Sequence, residues 1–278
     1  MMPAPVNSYY EIGWSGHAFG DQIAASVVVQ TLTDNGIRCA LNSPSIAHLV
    51  KCPQTTDKQF AGLTPIPHQL DRTLGVANPK YNFYTDLIEH FLKCKNINLK
   101  TQDINITLDH VPVVYKEIPS IHGVDVALVT KSGWWTPYRN WPYFNELKTL
   151  LKEKGISYID LSKQKIQSFE FLNYVKKSTI YLGLDTGASH YASAFIKNKG
   201  FIIQSGYCSF EYWASIYNYK KIEYPVECSQ VVGCWRRSGC EHNHKCMQQI
   251  SPHHVFKTIS PFLRQKPMKG ALPNTKQK

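Results

Sequence analysis

Two successive α/β units, each a parallel sheet fed by strand, helix, strand segments, are what this 278-residue sequence predicts. Three observations carry the prediction. Short apolar runs of strand length alternate with stretches whose apolar residues recur at helical spacing. Glycine-bearing loops stand at strand-to-helix joins, "SGHAFGD" at residues 15–21 and "GLDTGASH" at residues 183–190. The series also begins afresh once, near residues 116–123, which divides the chain into two Rossmann-like halves with a cleft for ligand between them.

The first half opens with a strand over residues 9–14 (YYEIGW) and a loop over 15–20. From Asp21 onward, Ile23, Val27, Val28 and Leu32 share one helical face, and Asn35-Gly36 stops that helix before the strand-like 37–41 (IRCAL). Residues 44–50 suggest a short helix. Leu87, Ile88, Phe91 and Leu92 place another over 86–92, and 103–115 carries alternating Ile, Leu and Val. The order of strands in this half is left open.

The second half begins with the apolar strand 124–129 (VDVALV) and the loop "TKSGWWTPYRNWPYF". Pro142 suits a first helical position, Phe144, Leu147, Leu150 and Leu151 form the apolar face, and Gly155 ends the helix before a strand at 156–161. A strand at 179–182 leads into the second glycine loop, another is expected at 200–204, and a helix over 255–262 closes the folded part.

Composition narrows the class of protein. A hydrophobic content of 43% is that of a globular chain, and no run of eighteen apolar residues occurs. The start, Met1-Met2-Pro3-Ala4-Pro5, lacks the basic head and apolar stretch of an export signal, so the expected location is cytoplasmic. The net charge is +11. Residues 264–278 contribute five basic and no acidic side chains and read as a flexible tail, but the body remains basic without it. That balance favours a polyanionic partner, whether nucleic acid, an anionic membrane surface or a phosphorylated sugar, or else only a soluble surface.

Eight cysteines are present, of which Cys228, Cys234, Cys240 and Cys246 recur every six residues, with His242 and His244 among them. Structural zinc sites pair their ligands at gaps of two to four residues, so uniform five-residue gaps fit poorly. Free thiols packing a loop are the leading reading, and zinc is the alternative.

The two glycine loops carry the chemistry. A helix that begins at the C-terminal end of a strand presents unpaired N–H groups and a positive dipole end, which suits phosphate. In the second loop Asp185 or Thr186 is expected to cap the helix and Gly187 to allow close backbone approach. Ala188 and Ser189 leave room for a bulky anion, while His190 donates to a phosphate oxygen or packs. In the first loop Asp21 is either a helix cap or a base that takes a proton from a substrate hydroxyl, with His17 as the second candidate base.

These fragments also stand in a known order. "GHAFGDQIAASVVVQTL" resembles the N-terminal motif of ADP-heptosyltransferase-like glycosyltransferases, glycosyltransferase family nine. "VTKSGWWTPYRNWPYFNELKTLLKEKGI" resembles their second-domain strand, phosphate loop and Trp-Pro helix, and "GLDTGASHYASAF" their donor-binding motif. "CWRRSGCEHNHKCMQQISPHHVFKTI" resembles the family's cysteine-containing segment before the final helix.

The resemblance implies a GT-B fold: an acceptor domain over 1–118, a nucleotide-sugar-binding domain over 119–263, and the basic tail 264–278. It implies a metal-independent, inverting hexosyl-, heptosyl- or pentosyltransferase without a cofactor, whose co-substrate is a nucleotide-diphosphate sugar. Asp21 then falls at the general base. Thr186, Gly187, Ala188 and His190 fall in the donor-phosphate motif, which Asp185 shapes, and Lys131 and Arg139 fall where the family places basic phosphate ligands. No Asp-x-Asp metal motif occurs in the sequence. The chain departs from the family in its compressed first half and in the adjacent Trp134-Trp135 of the phosphate loop, which could stack a base, line a sugar pocket or fill the interdomain core.

The implied acceptor is a glycan or lipopolysaccharide core, which allows a location peripheral to the inner membrane. The charge also allows hydroxymethylated pyrimidines in phage DNA, reached by base flipping or deep groove entry in the host cytoplasm. A reading from another class is a zinc-stabilised nucleic-acid-binding protein built on the cysteine cluster with Trp235, Arg236 and Arg237.

Overall fold

The structure, a computed structural model, describes residues 5–14, 18–71, 82–107, 109, 111–133, 139–163, 165, 168–196, 199–229, 233–235 and 240–263. Two separate parallel sheets form, as the two sequence series require.

The first unit is built on β1 (Ser8–Trp14), α1 (Phe19–Asp34), β2 (Cys39–Leu41), β3 (Thr64–Leu70) and α2 (Phe83–Cys94). Its strands run in the order β2, β1, β3, with Tyr10 opposite Cys39 and Ser8 opposite Thr64. β3, with Pro65 and Pro67, has no counterpart in the sequence reading. It tolerates both prolines because it is an edge strand whose even-numbered residues face β1: Thr64 N donates to Asn7 O at 2.8 Å, and the odd-numbered positions turn their missing N–H away from the sheet. Among its described residues the stretch 103–115 forms no strand: Val113 bridges to Val50, and Ile104, Ile106, Val111 and Val113 plug the core.

The second unit contains β4 (Val126–Leu128), α3 (Phe144–Glu153), β5 (Tyr158–Asp160), α4 (Phe169–Lys177), β6 (Ile180–Leu184), α5 (Gly187–Ala192), β7 (Gly200–Gln204), α6 (Phe210–Trp213), β8 (Tyr219–Glu223), α7 (Lys245–Gln248) and α8 (Pro252–Ile259). The sheet order is β5, β4, β6, β7, β8, all parallel. Gly155 ends α3 with φ +66°, the left-handed position that glycine adopts without strain. Ser168 caps α4 by accepting from Phe171 N at 3.3 Å, and Phe171, Leu172 and Val175 form its buried face.

One face of the second sheet carries Val126, Leu128, Leu182 and Ile203 against α3 and α8. The other face belongs to a continuous core shared with the first unit, in which Ala188, Tyr191 and Tyr207 join Ile23, Val27 and Leu87. The backbones of the two units come together at a pair of glycines. A Cβ on Gly187 would lie 2.5 Å from Gly20 N, and one on Gly20 would lie 2.8 Å from Gly187 Cα. Gly187 does permit close backbone approach, and the backbone that approaches is that of α1.

A second contact joins α2 to α6, where Tyr212 Oη donates to Asp86 Oδ2 at 3.1 Å inside the interface. Crossing between units, the chain clasps α4. Asn173 Nδ2 donates to Lys116 O at 2.8 Å, and its Oδ1 accepts from Ile118 N at 2.9 Å and Tyr115 Oη at 3.0 Å. Among the described residues no helix is long and apolar enough to cross a membrane.

Candidate active site

The C-terminal ends of β1, β4 and β6 point into one cleft between the units, where a cavity of about 660 Å³ opens. A cleft at the carboxyl edges of parallel strands is where open α/β folds place ligands. From the first unit it is lined by residues 18–21 and Phe83, and from the second by Lys131, Arg139, residues 185–188 and His190, with Tyr207, Trp213 and Trp235 as an aromatic wall. Asp21, Lys131, Arg139, Asp185, Thr186, Gly187, Ala188 and His190, scattered over 170 positions of sequence, therefore share one cavity. His17 and Trp134-Trp135 lie outside the described residues.

Asp21 stands in the first turn of α1 and is 9% exposed. Beside it, Gln22 Oε1 accepts from Ser43 Oγ at 2.9 Å and from Ser45 Oγ, tying α1 to the turn after β2. Across the cleft, Thr186 is the N-cap residue of α5, but its side chain makes no capping bond there. Asp185 is turned toward Arg139: Nη1 of Arg139 donates to Asp185 O at 2.8 Å and lies 3.8 Å from its Oδ2. The guanidinium also lies 4.9 Å from the centre of the Tyr207 ring. Arg139 is thus a buried strut of the 185–187 turn as well as a lining residue. Thr186 Oγ1 is buried and makes no hydrogen bond among the described residues, which leaves a donor at the cavity wall.

Ser189 does not open room for an anion. It is fully buried behind the cavity, where Oγ donates to Leu184 O at 2.6 Å and bonds Tyr181 Oη at 2.9 Å, while Tyr219 Oη donates to Ser189 O at 2.6 Å. The turn of α5 carries this residue toward β6. Two tyrosines thereby fix the helix from the rear.

Lys131 is exposed on the opposite wall. Its backbone N donates to Ser162 Oγ at 3.0 Å, as does Thr130 N at 2.7 Å. Ser162 and Thr130 in turn hang on Asp160, which accepts from Thr130 Oγ1 at 3.0 Å and Ser162 N at 3.1 Å and pairs with Lys148 at 2.6 Å. Burial pushes the Asp160 carboxyl upward, but the bonds from Lys148, Ser162 and Thr130 outweigh it and hold the group below its ordinary value of 3.8. Such a group stabilises the fold fully above the ordinary value, and the contribution is lost as the pH falls through the lower folded value. Asp160→Asn is therefore expected to cost about 1–2 kcal/mol at neutral pH. The difference from wild type should vanish in acid below 3.8, which denaturant titrations at several pH values would read.

The cysteine segment serves the same wall. Cys234 N donates to Gly206 O at 2.8 Å and Trp235 N to Tyr207 O at 2.9 Å, which brings the Trp235 ring to 5.2 Å from that of Tyr207. All eight cysteines are reduced thiols. Burial, with the charges of Cys240, Cys228 and Cys234, raises the Cys246 thiol above its ordinary value. Among the described residues no group of three or more His, Cys, Asp or Glu is placed to hold a metal ion. Arg236 and Arg237 lie outside the described residues.

No protein-family model matches the chain, and no curated protein matches it in sequence. Solved structures do match. The iron-containing dodecameric glycosyltransferase TibC from enterotoxigenic E. coli H10407 superposes with a TM-score of 0.60 at 13% identity, over 92% of this chain and 78% of that one. E. coli ADP-heptose LPS heptosyltransferase II gives 0.57 at 10% identity, over 91% and 98%. E. coli heptosyltransferase WaaC with ADP gives 0.54 at 12% identity, over 91% and 99%. The fold is accordingly the GT-B arrangement, two Rossmann-like units facing a cleft.

Proposed function

We propose that the chain is a glycosyltransferase that moves a sugar from a nucleotide-diphosphate donor to a hydroxyl acceptor, with residues 1–118 holding the acceptor and residues 119–263 the donor. The observation that carries this reading is the asymmetry of the cavity between the two units. A carboxylate, Asp21, stands on one wall, and a cation, a buried donor hydroxyl and a glycine turn stand on the other. Carboxylate and anion cradle are what a displacement at a sugar carbon needs on its two sides.

In the proposed step Asp21 takes the proton of the acceptor hydroxyl, and that oxygen bonds to the anomeric carbon from the face opposite the leaving group. The bond from that carbon to the donor phosphate oxygen breaks, and its electron pair leaves with the nucleoside diphosphate. The configuration inverts. Lys131, Thr186 Oγ1, the Gly187 turn and His190 meet the charge that develops on the leaving phosphate, while Arg139 keeps the turn in place through Asp185.

Lys131→Ala is expected to weaken nucleoside diphosphate binding about tenfold, the loss of one exposed charge-assisted contact. Melting temperature should not change, because the side chain is exposed. Isothermal titration beside a thermal melt checks both.

The proposed acceptor is a saccharide hydroxyl of a glycan or a lipopolysaccharide core. The test of the whole reading begins with a thermal-shift screen of nucleotide sugars, in which one donor should raise the melting temperature. Labelled donor is then offered to deacylated lipopolysaccharide, to hydroxymethylcytosine DNA and to unmodified DNA. Label in the saccharide supports the reading, label only in hydroxymethylated DNA moves the acceptor to nucleic acid, and the absence of any stabilising nucleotide overturns it.

A further inference from the structure

Two tyrosines, one from each unit, converge behind the cavity on a single nitrogen. Tyr84, on α2, and Tyr217, between α6 and β8, hydrogen-bond to each other through their hydroxyls. Both also reach His190 Nδ1, Tyr84 Oη at 3.1 Å and Tyr217 Oη at 2.8 Å. The Trp213 ring, its centroid 4.8 Å from that of His190, packs on the imidazole. Tyr84 is fully buried and Tyr217 nearly so.

Burial raises both phenols above their ordinary range, and the Asp21 carboxylate raises Tyr84 further, so each keeps its proton. The site then holds two phenolic protons and three heavy atoms. With His190 neutral and protonated at Nε2, one phenol donates to Nδ1 and the other donates to the first phenol's oxygen, and every proton has an acceptor. With a proton on Nδ1 the nitrogen becomes a donor. One buried hydroxyl then has no acceptor among the groups these oxygens touch, which disfavours that form roughly 10- to 100-fold.

We propose that Tyr84 and Tyr217 are positioning residues that hold His190 as its Nε2–H tautomer, so that the ring presents a hydrogen-bond donor to the cavity. Nδ1 points to the tyrosines, and Cδ2, on the Nε2 side of the ring, lies 3.3 Å from where a Gly20 Cβ would stand, in the seam beneath the cavity where α1 meets the 185–187 turn. His190 itself lines the cavity. The part of the donor that Nε2–H meets is a phosphate oxygen, and this identification rests on the proposed transfer reaction; the tautomer does not. Since Tyr84 comes from the first unit, the full network exists only with the units apposed.

The first measurement needs no substrate. Long-range ¹⁵N correlation on protein labelled in histidine, with His190 assigned by its absence in His190→Gln, is expected to show a protonated Nε2 and an unprotonated, hydrogen-bonded Nδ1. A proton on Nδ1 would overturn the proposal whatever reaction the protein performs. The second is a double-mutant cycle on transfer. Tyr217→Phe should lower kcat about tenfold in the wild-type background and have no effect within His190→Gln, whose amide supplies an N–H donor near the position of Nε2. An equal loss in both backgrounds would make Tyr217 merely structural and sink the assignment. If no nucleotide sugar supports transfer at all, the reaction reading fails and the NMR result alone decides the tautomer.

Discussion

Asp21→Asn is expected to lower transfer about 10³-fold while nucleoside diphosphate binding stays within a factor of about two. The substitution keeps volume and hydrogen-bonding shape and removes only the ability to accept a proton. Without a base the acceptor oxygen must attack while still carrying its proton, and positioned bases contribute about 10²–10⁴ to such steps. Binding should be spared, because the carboxylate lines the wall opposite the proposed donor cradle, where a negative charge does nothing to hold a diphosphate. Single-turnover rates with labelled donor, beside titration of the nucleotide, separate the two quantities. Transfer within tenfold of wild type would place the base elsewhere in the cleft, whereas a parallel collapse of nucleotide affinity would show that Asp21 organises the cavity and not the proton.

Asp21 and the 185–190 turn were legible in the sequence because the physics that marks them is local. A strand end, a glycine and a polar residue at the start of a helix are adjacent in the chain, and their chemistry follows from the helix terminus they create. The two parallel units were legible for the same reason, from apolar runs that restart after residue 123. Where the contacts are distant, the sequence is silent. Nothing about Tyr84 in "NFYTDL" or Tyr217 in "SIYNYK" shows that their hydroxyls meet across the two units, and the apolar alternation of 103–115 fills a core without pairing as a strand. β3 was hidden by its prolines, which are harmless only because the strand is at an edge. The tie from Arg139 to the backbone carbonyl of Asp185, 46 residues away, is likewise tertiary and has no local mark in the sequence.

Gly187 stands where the backbones of the two units approach each other, and its substitution is the second large expected effect. The backbone of Gly187 has no left-handed φ, so conformational freedom is not what requires glycine there. Space is. An added Cβ would stand 2.5 Å from Gly20 N, 2.9 Å from Gly20 Cα and 3.4 Å from Phe19 C, all backbone atoms that cannot rotate aside. Gly187→Ala must therefore push α1 and α5 apart or bend one of them, an overpacking cost of about 3 kcal/mol. For a chain of this size that is a fall in melting temperature of about 6–12 °C. The same displacement opens the seam beneath the cavity and carries the turn at Thr186 away from the first unit, so nucleotide affinity should fall about 10- to 100-fold. Gly20→Ala probes the identical approach from the other side, its Cβ 2.8 Å from Gly187 Cα. The pair should be strongly non-additive, since whichever methyl separates the helices first makes room for the second. Melting temperatures and nucleotide titrations of the two single variants and the double give the result. Additive losses, or a Gly187→Ala protein as stable as wild type with unchanged affinity, would mean that the units do not need this close approach, and the glycine would have to be explained by the ligand alone.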